Sequence, residues 1–298
     1  MEDSSSRQPL CRSNCLARSP SKRKGGKARA TAAGERIYAI GDIHGRYDLL
    51  RDLLRRIEQH SRGLPEPEAL HVVLLGDVID RGPNSAEVLD FLWDWSENTT
   101  GQIMLMGNHE EMLLRVLDGE LRLLRPWMHV GGKETVESFG LEEFHRRDNP
   151  EKFIAALREA IPSKIVEWLR KWPLCAQSGD YYFCHAGVRP KVPLNRQKRN
   201  DLMWIRDEFL NYEGDHGAVV VHGHSISPGV DIRSNRVGID TGAYQTGVLT
   251  ALYVEDEARD TVATDPDQPS EPENEAADTE GQLAGSLFGS QPLLGRNT

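Results

Sequence analysis

The chain has 298 residues, with 36 Lys and Arg against 46 Asp and Glu, a formal net charge of −10, and 38% hydrophobic against 28% charged residues. That is ordinary globular composition, and it excludes a collagen, a coiled coil or a membrane protein, because no run approaches the ~18 apolar residues a spanning helix needs. Four cysteines imply no disulfide framework and the first thirty residues lack a secretory apolar block, so reduced thiols and a cytoplasmic location are expected.

The two ends differ from the middle. Residues 1–34 carry eight basic residues and two acids, whereas residues 255–298 carry eleven acids and two arginines. Both ends are rich in small and polar residues and cannot bury enough apolar surface to offset the entropy of ordering. Two disordered tails, 1–34 basic and 255–298 acidic, are therefore expected around a domain at 35–254. No aromatic residue interleaves the basic run Ser21-Lys22-Arg23-Lys24, so it reads as a solvated tail with no stable nucleic-acid or membrane binding. Cys11 and Cys15 lack nearby partners for a zinc half-site. Leu283 to Phe288 reads as a less polar stretch of tail.

Within the middle, Ile37-Tyr38-Ala39-Ile40 is a short apolar run ending in Gly41, followed by Leu50, Leu53, Leu54 and Ile57 at helical spacing. The pattern repeats with Val72 to Leu75, Gly76 and then Val88, Leu89, Leu92 and Trp93. It repeats again with Ile103 to Met106, Gly107 and then Leu113, Val116 and Leu117. Residues Asp42, Asp77 and Asn108 head the three loops at spacings of 35 and 31, the length of a parallel crossover unit of ~30 residues. Parallel strands bring all three loops to one sheet edge, where α/β proteins place their sites. Residues 119–172 read as a helical insertion, with Ile165, Trp168, Leu169 and Trp172 on one face. Leu174 to Gln177 and Tyr181 to Cys184 then predict a hairpin, and Ala218 to Val221, Arg236 to Ile239 and Val248 to Tyr253 predict further strands. Two packed sheets with helices outside follow from this order.

The strand-end loops carry the chemistry: Gly41-Asp42-Ile43-His44-Gly45, Gly76-Asp77-Val78-Ile79-Asp80-Arg81-Gly82, Gly107-Asn108-His109-Glu110, Cys184-His185-Ala186-Gly187 and His222-Gly223-His224. Five loops bearing Asp, Asn or His directly after apolar strands point to a preorganised metal site. Mixed carboxylate, amide and imidazole donors suit manganese, iron or zinc.

In these motifs, GDxHG, GDxxDRG, GNHE, HAG and GH in that order, the sequence resembles the phosphoprotein phosphatase (PPP) family of metallophosphoesterases over roughly residues 36–254. Ile239-Asp240-Thr241-Gly242-Ala243 and Trp204-Ile205-Arg206 are similar to its bacterial and phage serine/threonine phosphatase branch. The resemblance implies a four-layer α/β/β/α sandwich of two mixed sheets. It implies two divalent metal ions, manganese first, with Asp42 and His44 on one, Asp77 bridging, and Asn108, His185 and His224 on the other. His222 is assigned to strand packing or the rim. Two cations sharing a carboxylate can hold a bridging water, lower its pKa and align it on phosphorus. Arg81 and Arg206 would clamp the phosphoryl oxygens, His109 would protonate the leaving group and Asp80 would orient His109. Glu110 is assigned to its helix start.

Dinucleoside tetraphosphatases of the same superfamily tend to replace the second Asp of GDxxDRG and to use GNHD. With Asp80 and Glu110 present, the expectation is a serine/threonine phosphatase acting on phosphoproteins or phosphopeptides. A dinucleoside polyphosphate or nucleotide hydrolase is the enzymatic alternative, and an inactive phosphate-binding scaffold the other.

Overall fold

The computed structural model describes residues 14–15, 28–145 and 147–267. Most of the basic tail, including Cys11 and Ser21 to Lys24, and the stretch Leu283 to Phe288 lie outside the described residues. In chain order the elements are β1 (Asn14–Cys15), β2 (Glu35–Ile40), α1 (Tyr47–Arg62), β3 (Ala69–Leu74), α2 (Ser85–Asn98), β4 (Gln102–Met104) and α3 (Asn108–Leu117). The insertion follows as α4 (Leu121–Trp127), a π-helical turn (Met128–Gly132), α5 (Lys133–Ser138), α6 (Pro150–Ala160) and α7 (Ser163–Leu169). The second half comprises β5 (Cys175–Ser178), β6 (Tyr181–Cys184), α8 (Arg199–Trp204), α9 (Asp207–Leu210), β7 (Val219–His222), β8 (Asp231–Ile232), β9 (Arg236–Gly238), α10 (Ala243–Thr246), β10 (Thr250–Glu255) and β11 (Ala258–Ala263).

Two mixed sheets result, one ordered β11-β10-β2-β3-β4 and the other β1-β5-β6-β7-β9-β8. Pairs β2–β3, β3–β4, β6–β7 and β7–β9 are parallel, so the loops after β2, β3, β4, β6, β7 and β9 emerge at the carboxyl ends of parallel strands. The period-2 alternation of strand side chains divides the core into layers. Ile37 and Ala39 of β2 face inward with Val73, Phe183, Val221 and Ile239 between the sheets. Tyr38 and Ile40 face the other way, onto Leu50, Leu54 and Leu113 of the first sheet's helices. Tyr182, Cys184 and Val220 cover the outside of the second sheet with Leu202 and Phe209. This is the α/β/β/α sandwich the sequence predicted.

Three differences have physical reasons. Residues expected to open an acidic tail at 255 are instead sheet: Ala258–Ala263 pairs antiparallel with β10 along its length. Its first four residues are exposed, so this edge strand has no apolar signature. Strand β8 is two residues long and escapes a periodicity test. Cys175 is disulfide-bonded, against the expectation of reduced thiols, whereas Cys184 is free and buried. One bond leaves no spacing pattern to read. Among the described residues no helix is long and apolar enough to cross a membrane.

Candidate active site

The site forms where those strand ends meet. Several of its residues sit in the left-handed backbone region: His44 (φ 48°), Asp77 (50°), Asp80 (72°), Arg81 (69°) and His224 (63°). Such angles are unfavourable for residues with a Cβ and persist where surrounding bonds over-determine them. Here Ile43 and His44 donate their backbone N–H groups to the Asp77 carbonyl, at 3.1 and 2.9 Å. The buried Glu110 carboxylate accepts from the backbone N–H groups of Gly107 (3.0 Å), Asp77 (2.9 Å) and Val78 (2.9 Å). Glu110 therefore clasps two loops together at the start of α3, the capping role its position predicted. Burial and the Asp77 carboxylate push its pKa up to about 7.

Asp77 occupies the middle. Its Oδ2 lies 3.7 Å from His44 Nε2, 3.7 Å from His109 Nε2 and 3.4 Å from His185 Nε2. His185 Nε2 is also 2.8 Å from Asn108 Oδ1 and 3.2 Å from His224 Nδ1. The ligand atoms of His44, Asp77 and His109 lie within 4.8 Å of one another, and so do those of Asp77, His185 and His224. Asp42 joins from the other side, accepting the His224 backbone N–H at 3.1 Å. All of these side chains are buried.

The electrostatics describe a cage made for cations. Burial pushes Asp42 well above the usual carboxylate range, and the carboxylate of Asp240 beside it adds to the rise. Burial also raises Asp77, but His185, His109 and His44 outweigh it and hold that group well below its ordinary value. Burial lowers His44 to about 3 and His224 to about 2, so both are neutral imidazoles with a lone pair to offer. In His185 burial is overcome by Asp77 and Asp42, which lift it to about 10. His224 Nε2 is buried with no hydrogen-bond partner among the described residues. Two donor groups sharing one carboxylate, an orphaned imidazole nitrogen and an oxygen-and-imidazole donor set fit a pair of divalent cations.

Beside the cage stands a second constellation. His109 Nδ1 is 2.6 Å from Asp80 Oδ2. Asp80 is itself held by Trp127 Nε1–H (2.8 Å) and the Thr135 hydroxyl (2.5 Å), while its backbone N–H donates to Ser85 Oγ (3.0 Å). Burial works against protonation of His109, but Asp77 and Asp80 raise its pKa above the ordinary histidine value. Its Nε2 points back toward Asp77. Arg81 Nη2 is 3.3 Å from that nitrogen, and the guanidinium lies over the Tyr244 ring at 4.8 Å. A protonated His109 and Arg81 are both donors, so an anionic oxygen between them would satisfy each.

The structure thus brings Asp42, His44, Asp77, Asn108, His185 and His224 to one centre, with Asp80, His109 and Arg81 adjoining. Arg206 stands further out, exposed at the start of α9, yet its charge contributes to depressing His224. His222 is buried with Nδ1 3.0 Å from the Gly223 carbonyl oxygen and takes no place in the cage. Asp240, read in the sequence only within the Ile239–Ala243 stretch and given no role there, is a strand-end carboxylate acting on Asp42, whereas Trp127, Ser85 and Tyr244 carry no local motif.

Comparison with known proteins gives a consistent class. The family model described as calcineurin-like phosphoesterase matches residues 35–248. A relative named bis(5'-nucleosyl)-tetraphosphatase, symmetrical, from Vibrio parahaemolyticus is 29% identical over 166 residues, covering 54% of this chain and 48% of the relative. One of the same name from Nitrosospira multiformis is 26% identical over 274 residues, covering 74% and 93%. The chain spans about half the length of the first curated relatives it matches. A crystal structure carrying a diadenosine tetraphosphatase assignment superposes with a TM-score of 0.54 at 20% identity, covering 80% of this chain and 99% of that one.

Proposed function

The chain belongs to the calcineurin-like phosphoesterase family, and on that footing we propose that it hydrolyses phosphate esters and anhydrides with two divalent cations, its substrate class being dinucleoside polyphosphates. The observation that carries the hydrolase reading is the convergence of His44 on one side and His185 and His224 on the other upon the Asp77 carboxylate. The names borne by its relatives support the substrate class and move it away from the phosphoprotein expected from motifs alone.

In this reading Asp42, His44 and Asp77 hold one cation, and Asp77, Asn108, His185 and His224 the other. Bound there, the pair supplies an activated water and neutralises phosphoryl charge. Manganese suits the donor set, with iron or zinc as alternatives. Arg81 binds a non-bridging phosphoryl oxygen, and Arg206 adds positive charge at the entrance. His109 donates a hydrogen bond from Nε2 to the departing oxygen, protonating it where an alkoxide leaves, while Asp80 fixes its ring and tautomer. Glu110 holds the loop that carries Asp77.

A second reading, hydrolysis of phosphoserine or phosphothreonine in proteins, is favoured by one observation, the 2.6 Å bond from Asp80 to His109. An alkoxide must be protonated as it leaves, whereas a phosphate leaving group is already acidic. Manganese-loaded protein separates the readings when phosphate-bond cleavage in diadenosine tetraphosphate is compared with phosphate release from a phosphoserine peptide. Higher kcat/KM on the dinucleotide is expected. A preference for the peptide reverses the order, and metal binding without hydrolysis of either would reduce the chain to a phosphate-binding scaffold.

A further inference from the structure

Arg81 is half-buried beside a cage of carboxylates, yet among the described residues it pairs with none of them. Its Nε donates to the Val130 carbonyl at 3.3 Å, Nη2 stands 3.3 Å from His109 Nε2, and the guanidinium lies over the Tyr244 ring, 4.8 Å from its centre. A carbonyl dipole and a π face orient a guanidinium without neutralising it. The charge, and an Nη1 with no partner among the described residues, are thereby left to an anion that the chain does not supply.

Two elements distant in sequence build this socket. From the insertion, the π-helical turn brings Gly131 against the arm: its carbonyl accepts the Arg81 backbone N–H at 3.0 Å, and a Cβ on it would stand 2.5 Å from Arg81 Cγ. Gly131 also has a φ of 122°, which side chains rarely adopt, so the close approach depends on glycine at that position. From the other side comes the half-buried Tyr244 of α10. Arg46 Nη1 donates to the Ala243 carbonyl at 3.1 Å and the Thr246 hydroxyl to the Thr241 carbonyl at 3.0 Å, so the short helix that carries the ring is tied down at both ends. The ring also meets His44 edge to face, at 5.4 Å. Its hydroxyl accepts from the exposed Gln245 at 2.6 Å and reaches no group of the cage among the described residues, so the π face is the part that acts on the site. A bidentate fork binds phosphate only when its plane is aimed, and small misplacements near a reacting centre are costly.

We propose that Tyr244 is a positioning residue of the hydrolytic site: its ring face, opposed by the Gly131 turn, holds the Arg81 fork aimed at a phosphoryl group bound over the cage. This deepens the part given to Arg81 under Proposed function and rests on it. The test is the Kd of inorganic phosphate on manganese-loaded full-length protein, measured by isothermal titration calorimetry. Tyr244→Leu should weaken binding about fivefold, Tyr244→Phe should keep it, and Tyr244→Trp, with the stronger π face, should bind at least as tightly as the wild type. Gly131→Ala, which displaces the same arm from the opposite side, should weaken binding as Tyr244→Leu does. Bound manganese, by elemental analysis, should be equal in all of them. Arg81→Ala should itself weaken phosphate binding, and adding Tyr244→Leu to it should cost nothing more. Wild-type affinity in Tyr244→Leu or in Gly131→Ala overturns the proposal. So does an equal loss in Tyr244→Phe, a loss undiminished when Arg81 is absent, or a fall in bound manganese, which would place the effect at His44. Phosphate binding indifferent to Arg81→Ala overturns the clamp and the proposal with it, and leaves the metal cage and its hydrolase reading standing.

Discussion

Gly223 carries a constraint that its backbone angles do not express. A methyl group at that position would collide with Asp42 Oδ1, the same carboxylate that accepts the His224 N–H. The glycine between His222 and His224 therefore admits a ligand carboxylate to its place. Gly223→Ala should lower bound manganese measured by elemental analysis, with the far-UV circular dichroism spectrum unchanged; full metal content would contradict it. A different loss is expected at His109, whose Nε2 faces the reacting centre while Asp80 holds Nδ1. His109→Asn should reduce kcat on an alkyl phosphomonoester by about 10²–10⁴-fold, and much less on a substrate whose leaving group needs no proton. Equal losses on both, at equal metal content, would remove the general-acid role.

At the scale of elements, helix α3 acts on a neighbouring loop through one side chain. Glu110 at its first turn binds backbone N–H groups of the loop after β3 as well as its own cap residue, and so holds Asp77 at a left-handed φ of 50°. Glu110→Gln replaces one accepting oxygen by a donor facing those N–H groups, at a cost of roughly 2–3 kcal/mol. Chemical denaturation should show that loss together with weaker manganese affinity; loss of stability at unchanged affinity would confine Glu110 to the fold. The insertion works in the same way, since Trp127 at the end of α4 and Thr135 in α5 both bond Asp80 from across the π-helical turn. Far from the site, β2 and β10 are joined by the buried Arg36, whose Nε lies 2.7 Å from Glu255 Oε2. Burial raises the Glu255 pKa, but the bonds from Arg36 and Tyr253 outweigh it and hold it below the ordinary value. A depressed folded-state pKa means stability present above the unfolded value of about 4.3 and lost as pH falls through the folded one. Glu255→Gln should therefore lower Tm by about 3 °C at pH 7, and the gap between variant and wild type should narrow as pH falls below the unfolded value and close once Glu255 is protonated in the folded state; a gap constant with pH would exclude the ion pair as its cause.

For the whole molecule, what was legible in the sequence was what lies close together along it. Apolar runs ending in glycine marked β2, β3 and β4, and the Asp, Asn and His immediately after each strand end marked the cage. Long-range consequences left no such mark. Trp127, Ser85 and Tyr244 reach the site only through the packing of α2, the insertion and α10, and the edge strand β11 looks like an acidic tail because water, not the core, covers most of it. All of this depends on two cations meeting at one carboxylate, and a crystal structure of the manganese-loaded protein with anomalous scattering at the metal edge tests it most directly. Two peaks about 3.5–4 Å apart, with Asp77 touching both, are predicted; a single ion, or two ions of which Asp77 binds at most one, would contradict the account.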